Sequence, residues 1–247
     1  MRFMTWELFL LGRNGKTARA NALGTFALAI TLSAAWHARA QDPKALYLKM
    51  APLDRYLMEK NGEIALARSA APESISRNAE VMVLGRQGYE TVVKGKNGFV
   101  CMVERSWTSG IDDPDFWNPK LRGPICFNPT AVQSYLPLTI KKTELALAGR
   151  SKAQMFDEIK TSFANKVLPP PESGAMCYMM SRQAYLSDHD PHWHPHLMFF
   201  APQTDPIAWG AGLPGSPILA FDDTPDRLTV FMIPVGRWSD GTAAPPM

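Results

Sequence analysis

Four of the chain's five histidines fall within HDPHWHPH, residues 189–196. Three of them, His192, His194 and His196, alternate. On an extended backbone residues i and i+2 point to the same side, with their roots about 6.5–7 Å apart. Imidazole nitrogens bind zinc at about 2.0–2.1 Å, so three rings spaced in this way can close on one ion. Such a set suits Zn2+ or Cu2+, with a fourth position left to water or another side chain. His189, Asp188 and Asp190 are the neighbours able to fill it. The competing reading is structural. Pro191 and Pro195 fix φ and remove donors, which confines the stretch to a strand start or a sheet edge. There His192 and His194 are solvated, Trp193 packs beneath, and His196 is hydrogen-bonded at the border of the apolar run LMFF.

A softer set lies close by. MCYMMS places Met176, Cys177, Met179 and Met180 together, and Met198 follows the histidines. Thioethers and thiolates select Cu(I), although methionine also serves as an adaptable core filler, and a buried cysteine is inert. A catalytic metal would direct hydrolysis through a bound water whose pKa the ion lowers. The sequence identifies no general base for that step and contains no G-x-S-x-G nucleophile elbow. Asp112, Asp113 and Asp115 resemble a Ca2+ loop only in part, because the terminal Glu of an EF-hand is missing and Pro114 marks a turn. Trp117 in DFWNP and Trp238 in GRWSDG stand beside polar residues, as a ligand platform or as anchors for long loops.

The elements that must carry these groups fall into four blocks. Residues 41–71 read as helical, with Pro52 at a helix start and Pro72 as a stop, and Ser74–Arg77 forms a further turn, so helices are expected within residues 45–78. EVMVLG, YETVVKG and GFVCMVERSW, separated by Gly-containing connections, predict an antiparallel meander over residues 80–107. The Pro-, Gly- and Asp-rich stretch through GPICFNP predicts a long ordered loop. Residues 130–166 return to helical period, with Pro137 breaking or kinking the first helix and Ser151 capping the next. AMCYMMS, HPHLMFFAP, PILAF and RLTVFMIPVG supply three or four more strands, and the tail SDGTAAPPM reads as frayed. This order predicts an α+β domain with an antiparallel or mixed sheet.

The first 40 residues read as a leader. A basic segment precedes the apolar run LGTFALAITLSAAW, and Ala38 and Ala40 form an A-x-A end, the pattern of a signal peptide cut after about Ala40. The apolar run is short of the roughly 20 residues a spanning helix needs. Residues 1–40 hold five Lys/Arg and one Glu, so removing them takes the formal charge from +3 to near −1. The basic character therefore belongs to the leader. The body, a single domain over residues 41–247, lacks the basic footprint of a nucleic-acid binder and has no run long enough for stable membrane insertion. Cys101, Cys126 and Cys177 allow three single pairings. In an exported chain one disulfide and one leftover thiol are expected. Cys101 with Cys126 is the preferred pair, worth roughly 3–3.5 kcal/mol in the chain-entropy model.

GKNGFVCMVE, GPICFNP, PHLMFFAP, GSPIL and TVFMIPVG together resemble a family of exported bacterial proteins of unassigned activity. That pattern is Gly-x-Asn-Gly-aromatic-x-Cys, a second Cys after a proline-rich loop, and Pro-His-Leu-Met before a closing strand. The resemblance spans about residues 80–236. It implies export and the pairing of Cys101 with Cys126, and it carries no catalytic residues. Two functions remain in view: binding of zinc or copper through the histidine cluster, in the periplasm or outside the cell, and a metal-free interaction or scaffold role in the envelope.

Overall fold

The computed structural model describes residues 47–188, 193–223 and 226–246. Its contacts divide the chain into Met1–Ala40 and Gln41–Met247. The first unit, with the expected leader and its cut, lies outside the described residues. Among the described residues, five helices pack on one eight-stranded, mostly antiparallel sheet, an α+β fold. The helices are α1 (Lys60–Arg68), α2 (Glu73–Ser76), α3 (Pro129–Ser134), α4 (Leu136–Leu147) and α5 (Lys152–Ala164). The strands are β1 (Glu80–Gly85), β2 (Gly88–Val93), β3 (Val100–Glu104), β4 (Gly123–Phe127), β5 (Met176–Met179), β6 (His196–Pro202), β7 (Leu219–Asp223) and β8 (Leu228–Pro234). Their order across the sheet is β2-β1-β3-β4-β5-β6-β8-β7.

Several local expectations change. Among the described residues before α1 only Leu53–Arg55 is helical, as a single 3₁₀ turn that starts after Pro52, less than the composition of residues 47–59 implies. β1 and β2 form the expected hairpin, but β3 pairs parallel to β1 on its other side, so the region is not a meander. The chain passes beneath the start of β1 to get there. Lys96 N–H donates to Asn78 O (2.8 Å) and Glu80 N–H to Phe99 O (2.8 Å). Gly95 is required at this crossing, because a Cβ there would stand 2.3 Å from the Glu80 nitrogen. GPICF is a central strand and not the end of a loop. Asn128 N–H points to Met176 O of β5 (3.0 Å), so by alternation the Pro124 nitrogen faces the same side. The β4–β5 ladder covers only Cys126 and Phe127, so the missing donor of Pro124 is not needed. Pro137 opens α4 in its first turn, and Ser151 caps α5 in a capping box with Gln154. The tail folds back, with Trp238 N–H on Thr242 O, Ser239 N–H on Met180 O and Ala244 N–H on Gly236 O.

Alternation along the strands gives the sheet two unlike faces. One carries Val81, Cys101, Val103 and Cys126, and α1 packs on it through Leu66 and Ala67, with Ala70 and Ala71 just beyond its end, small residues that allow close approach. The Cys101–Cys126 disulfide joins directly opposed residues of β3 and β4 in this buried layer. The other face carries Met102, Ile125, Phe127, Cys177 and Phe200 beneath α3 and α4. There the Tyr135 ring stacks on Phe200 at 3.6 Å. Trp107, fully buried, donates its indole N–H to Thr143 Oγ1 (3.0 Å) and ties the loop after β3 to α4.

Candidate metal centre

The strand β6 begins at His196, and the backbone at residues 193–195 is irregular. The Trp193 ring meets His196 edge-on at 5.9 Å and Trp238 at 5.0 Å. On an extended chain residues 193 and 196 would face opposite sides, so the segment turns just before the strand. His194 is half-buried just before the strand, and His196, only 7% exposed, stands on the helix-side face of the sheet. His189 and His192, with Asp190, lie outside the described residues. Among the described residues no three His, Cys, Asp or Glu side chains are grouped to hold a metal ion.

His196 is nonetheless set up as a donor. Its Nδ1 lies 2.7 Å from the His194 carbonyl oxygen. A carbonyl can only accept, so Nδ1 carries the hydrogen and Nε2 presents its lone pair. This is the arrangement that fixes the tautomer of a metal-binding imidazole. Burial pushes the His196 pKa below its ordinary value, against the opposing hydrogen bond to His194. The ring is therefore neutral near pH 7.

Asp188, just before the histidine run in sequence, is firmly held. Its carboxylate accepts from Tyr47 Oη (2.5 Å), from Lys120 Nζ (3.1 Å) and from Tyr185 Oη. Partial burial alone would raise this pKa, but the hydrogen bonds from Tyr185, Tyr47 and Lys120 hold it at about 2. The Asp188 N–H and Ser187 Oγ both donate to Asp115 Oδ2, at 3.2 and 2.7 Å. Asp188 thus anchors the loop, and its lone pairs are engaged before any ion arrives. Asp115 is itself buried against Asn118 (3.0 Å), which makes DDPD a structural turn. Trp117 and Trp238 are buried anchors and form no exposed platform.

The strand register sorts the softer residues. Met176 faces the disulfide side, whereas Cys177 and Met179 face the helix side. Cys177 pairs with Met198 and Met179 with His196 across β5–β6, and Met198 pairs with Met232 across β6–β8. The Cys177 thiol is buried, and burial raises its pKa well above the usual value. Met180 lies beyond the strand, its N–H on Ala70 O.

A buried charge network stands nearby that the sequence reading did not anticipate. Lys142 of α4 forms an ion pair with Asp226 just before β8, and it also donates to Thr108 O (3.2 Å). Burial disfavours the ammonium, but Asp226 and Asp223 hold its pKa above the lysine norm. Burial pushes Glu104 up to about 7, against Lys142 and a hydrogen bond from Thr139 (3.3 Å), and lifts Asp223 to about 6. The cavity beside the Lys142–Asp226 pair measures about 10 Å³, room for one water at most. The network therefore fastens the β7–β8 turn to α4 and has no space for a substrate. One signal was present in LPLTIKKTELAL: Lys142 lies four residues after Leu138 and four before Ala146, on the buried stripe.

No protein-family model, curated protein or solved structure matches this chain.

Proposed function

We propose that the protein is an exported transition-metal-binding protein, taking zinc or copper at the histidine loop that leads into β6. The observation that carries this reading is the Nδ1–H hydrogen bond from His196 to the His194 carbonyl, which leaves Nε2 as the free donor. Asp188, which precedes the histidines in the chain, is held by its own hydrogen bonds and ion pair. The buried Cys101–Cys126 disulfide supports an oxidising compartment, in keeping with a leader cut near Ala40 and a periplasmic or secreted location. No helix of the described residues is long and apolar enough to cross a membrane.

The test is elemental analysis of untagged protein beside a His192→Ala/His196→Gln variant. About one zinc or copper per chain, lost in the variant while its circular dichroism is unchanged, supports the proposal. Metal-free protein that shows no thermal shift with added zinc or copper refutes it.

One observation favours the second reading, a metal-free interaction protein. β7 is an edge strand, and Leu219 and Phe221, on the same face of it, are 44% and 48% exposed. Contiguous exposed apolar residues mark interaction surfaces. Under that reading Phe221→Lys abolishes association measured by light scattering and leaves metal content unchanged.

A further inference from the structure

The register of β5, β6 and β8 aligns soft donors that are scattered in the sequence. Cys177, Met198 and Met232 occupy one row across three adjacent strands, and Met179 and His196 occupy the next row on the same face. Direct cross-strand neighbours have Cβ atoms about 4.5–5.5 Å apart, and His196 and Met198 are two residues apart on β6. A methionine thioether swings on three rotatable bonds, so the sulfurs of Met198 and Met232 and the His196 Nε2 can meet over the strand pair.

We infer that His196, Met198 and Met232 form a binding site for a soft monovalent cation, Cu(I) or Ag(I), with Cys177 at the inner end of the row. The donor chemistry selects this class. Thioethers are neutral and polarisable and favour Cu(I) over zinc. A neutral set of two thioethers and one imidazole leaves only a single positive charge in a half-buried place, where a divalent ion would be far harder to desolvate. The imidazole tautomer is already fixed with Nε2 as the acceptor. Access also exists. Met198 and Met232 are half-buried, and the next residue along the row is Leu219, exposed on the edge strand. An ion can thus arrive from the β7 side without any helix moving. The other methionines of β5 and its end are less suited: Met176 points to the opposite face, Met180 lies past the strand, and Met179, though paired with His196, is only 6% exposed.

The inference rests on the proposed histidine site only through His196, so the test separates the two. Cu(I) is delivered anaerobically as its acetonitrile complex, without reductant, so that the Cys101–Cys126 bridge stays intact. Binding is measured by competition with a chromophoric Cu(I) chelator, with Ag(I) and Zn2+ titrations in parallel. The variants are Met198→Leu/Met232→Leu, a volume-conserving exchange that the fold tolerates, and His196→Gln, with thermal midpoints as folding controls. The expected result is one Cu(I) or Ag(I) per wild-type chain. Cu(I) affinity falls more than about 100-fold in the methionine variant, beyond the usual cost of losing an outer-shell partner, while zinc binding is unchanged. Undiminished Cu(I) binding by that variant overturns the inference. So does wild-type protein that binds zinc but not Cu(I), a result that leaves the histidine reading standing. Protein that binds neither metal overturns both.

Discussion

The two ends of the sheet are built differently. β3 and β4 are buried along nearly their whole length, with α1 on one face and the α3–α4 layer on the other. The disulfide, the Glu63–Arg105 ion pair (2.8 Å) and the Trp107 anchor all gather there. β6 and β8 are only partly buried and the edge strand β7 is largely exposed, and β6 and β8 carry His196, Met198, Met232 and several aromatic rings. On the helix side α4 and α5 still cover Leu228 at the start of β8, whereas Met198 and Met232 are half-buried and Leu219 on β7 is exposed. The covered end supplies stability, and the open end supplies donors that can still reach a ligand.

The sharpest way to break this division is at Arg105. Its guanidinium is fully buried and also donates to Tyr56 O (2.8 Å). Arg105→Met would strand the buried Glu63 carboxylate and destabilise by about 3–5 kcal/mol, read from urea unfolding. Removal of the disulfide by Cys101→Ala/Cys126→Ala should cost about 3 kcal/mol and leave metal binding at the far end unchanged in refolded protein. A comparable loss from changes in β7 would contradict the comparison.

A third test uses pH. Glu104 has a folded pKa of about 7 against an ordinary 4.5. The folded state therefore holds a proton that the unfolded chain has released, and stability falls as pH rises through that window. Asp223, raised to about 6, adds to the same slope. Glu104→Gln should flatten the decline in thermal midpoint between pH 4.5 and 7. Asp188 acts in the opposite sense, because its pKa of about 2 lies below the ordinary 3.8. Its contribution is complete above pH 3.8 and is lost as pH falls through 2. A Glu104→Gln midpoint that falls as steeply as wild type between pH 4.5 and 7 would contradict the Glu104 assignment.

The smallest effects are expected at the open end. Trp209 stacks on Phe231 at 4.3 Å, and such a pair is worth about 0.5–1.5 kcal/mol beyond area burial. Trp209→Ala should therefore destabilise only modestly. Phe221→Ser should stay within about 0.5 kcal/mol of wild type, checked by the same unfolding curves.

Much of the architecture was legible in the sequence. The β1–β2 hairpin, the helices at residues 130–166 and the later strands, expected as three or four, follow from pattern, and Cys101–Cys126 was the preferred one of three possible pairings. The parallel placement of β3 was not legible, because a short Gly-rich connection reads the same whether the chain turns back beside its neighbour or slips under it. The backbone approach at Gly95 decides between the two, and it is a tertiary fact. GPICF looked like loop because Pro and Gly count against strands, while the direction in which the Pro124 nitrogen points depends on β5. At the candidate site, composition located the histidines, whereas the hydrogen bond from His196 Nδ1 to the His194 carbonyl is a tertiary detail that no periodicity encodes. The alignment of Met198 with Met232 depends on a register between strands more than 30 positions apart, and no local pattern encodes it.

The central claim is that His196 offers a neutral, preset Nε2 to a metal ion. Long-range proton–nitrogen NMR of the imidazoles reads this directly. At pH 7 the account predicts the Nδ1–H tautomer for His196, with an Nε2 resonance that shifts or broadens when zinc or Cu(I) is added. An Nε2–H tautomer, or an Nε2 signal indifferent to both metals, would contradict it.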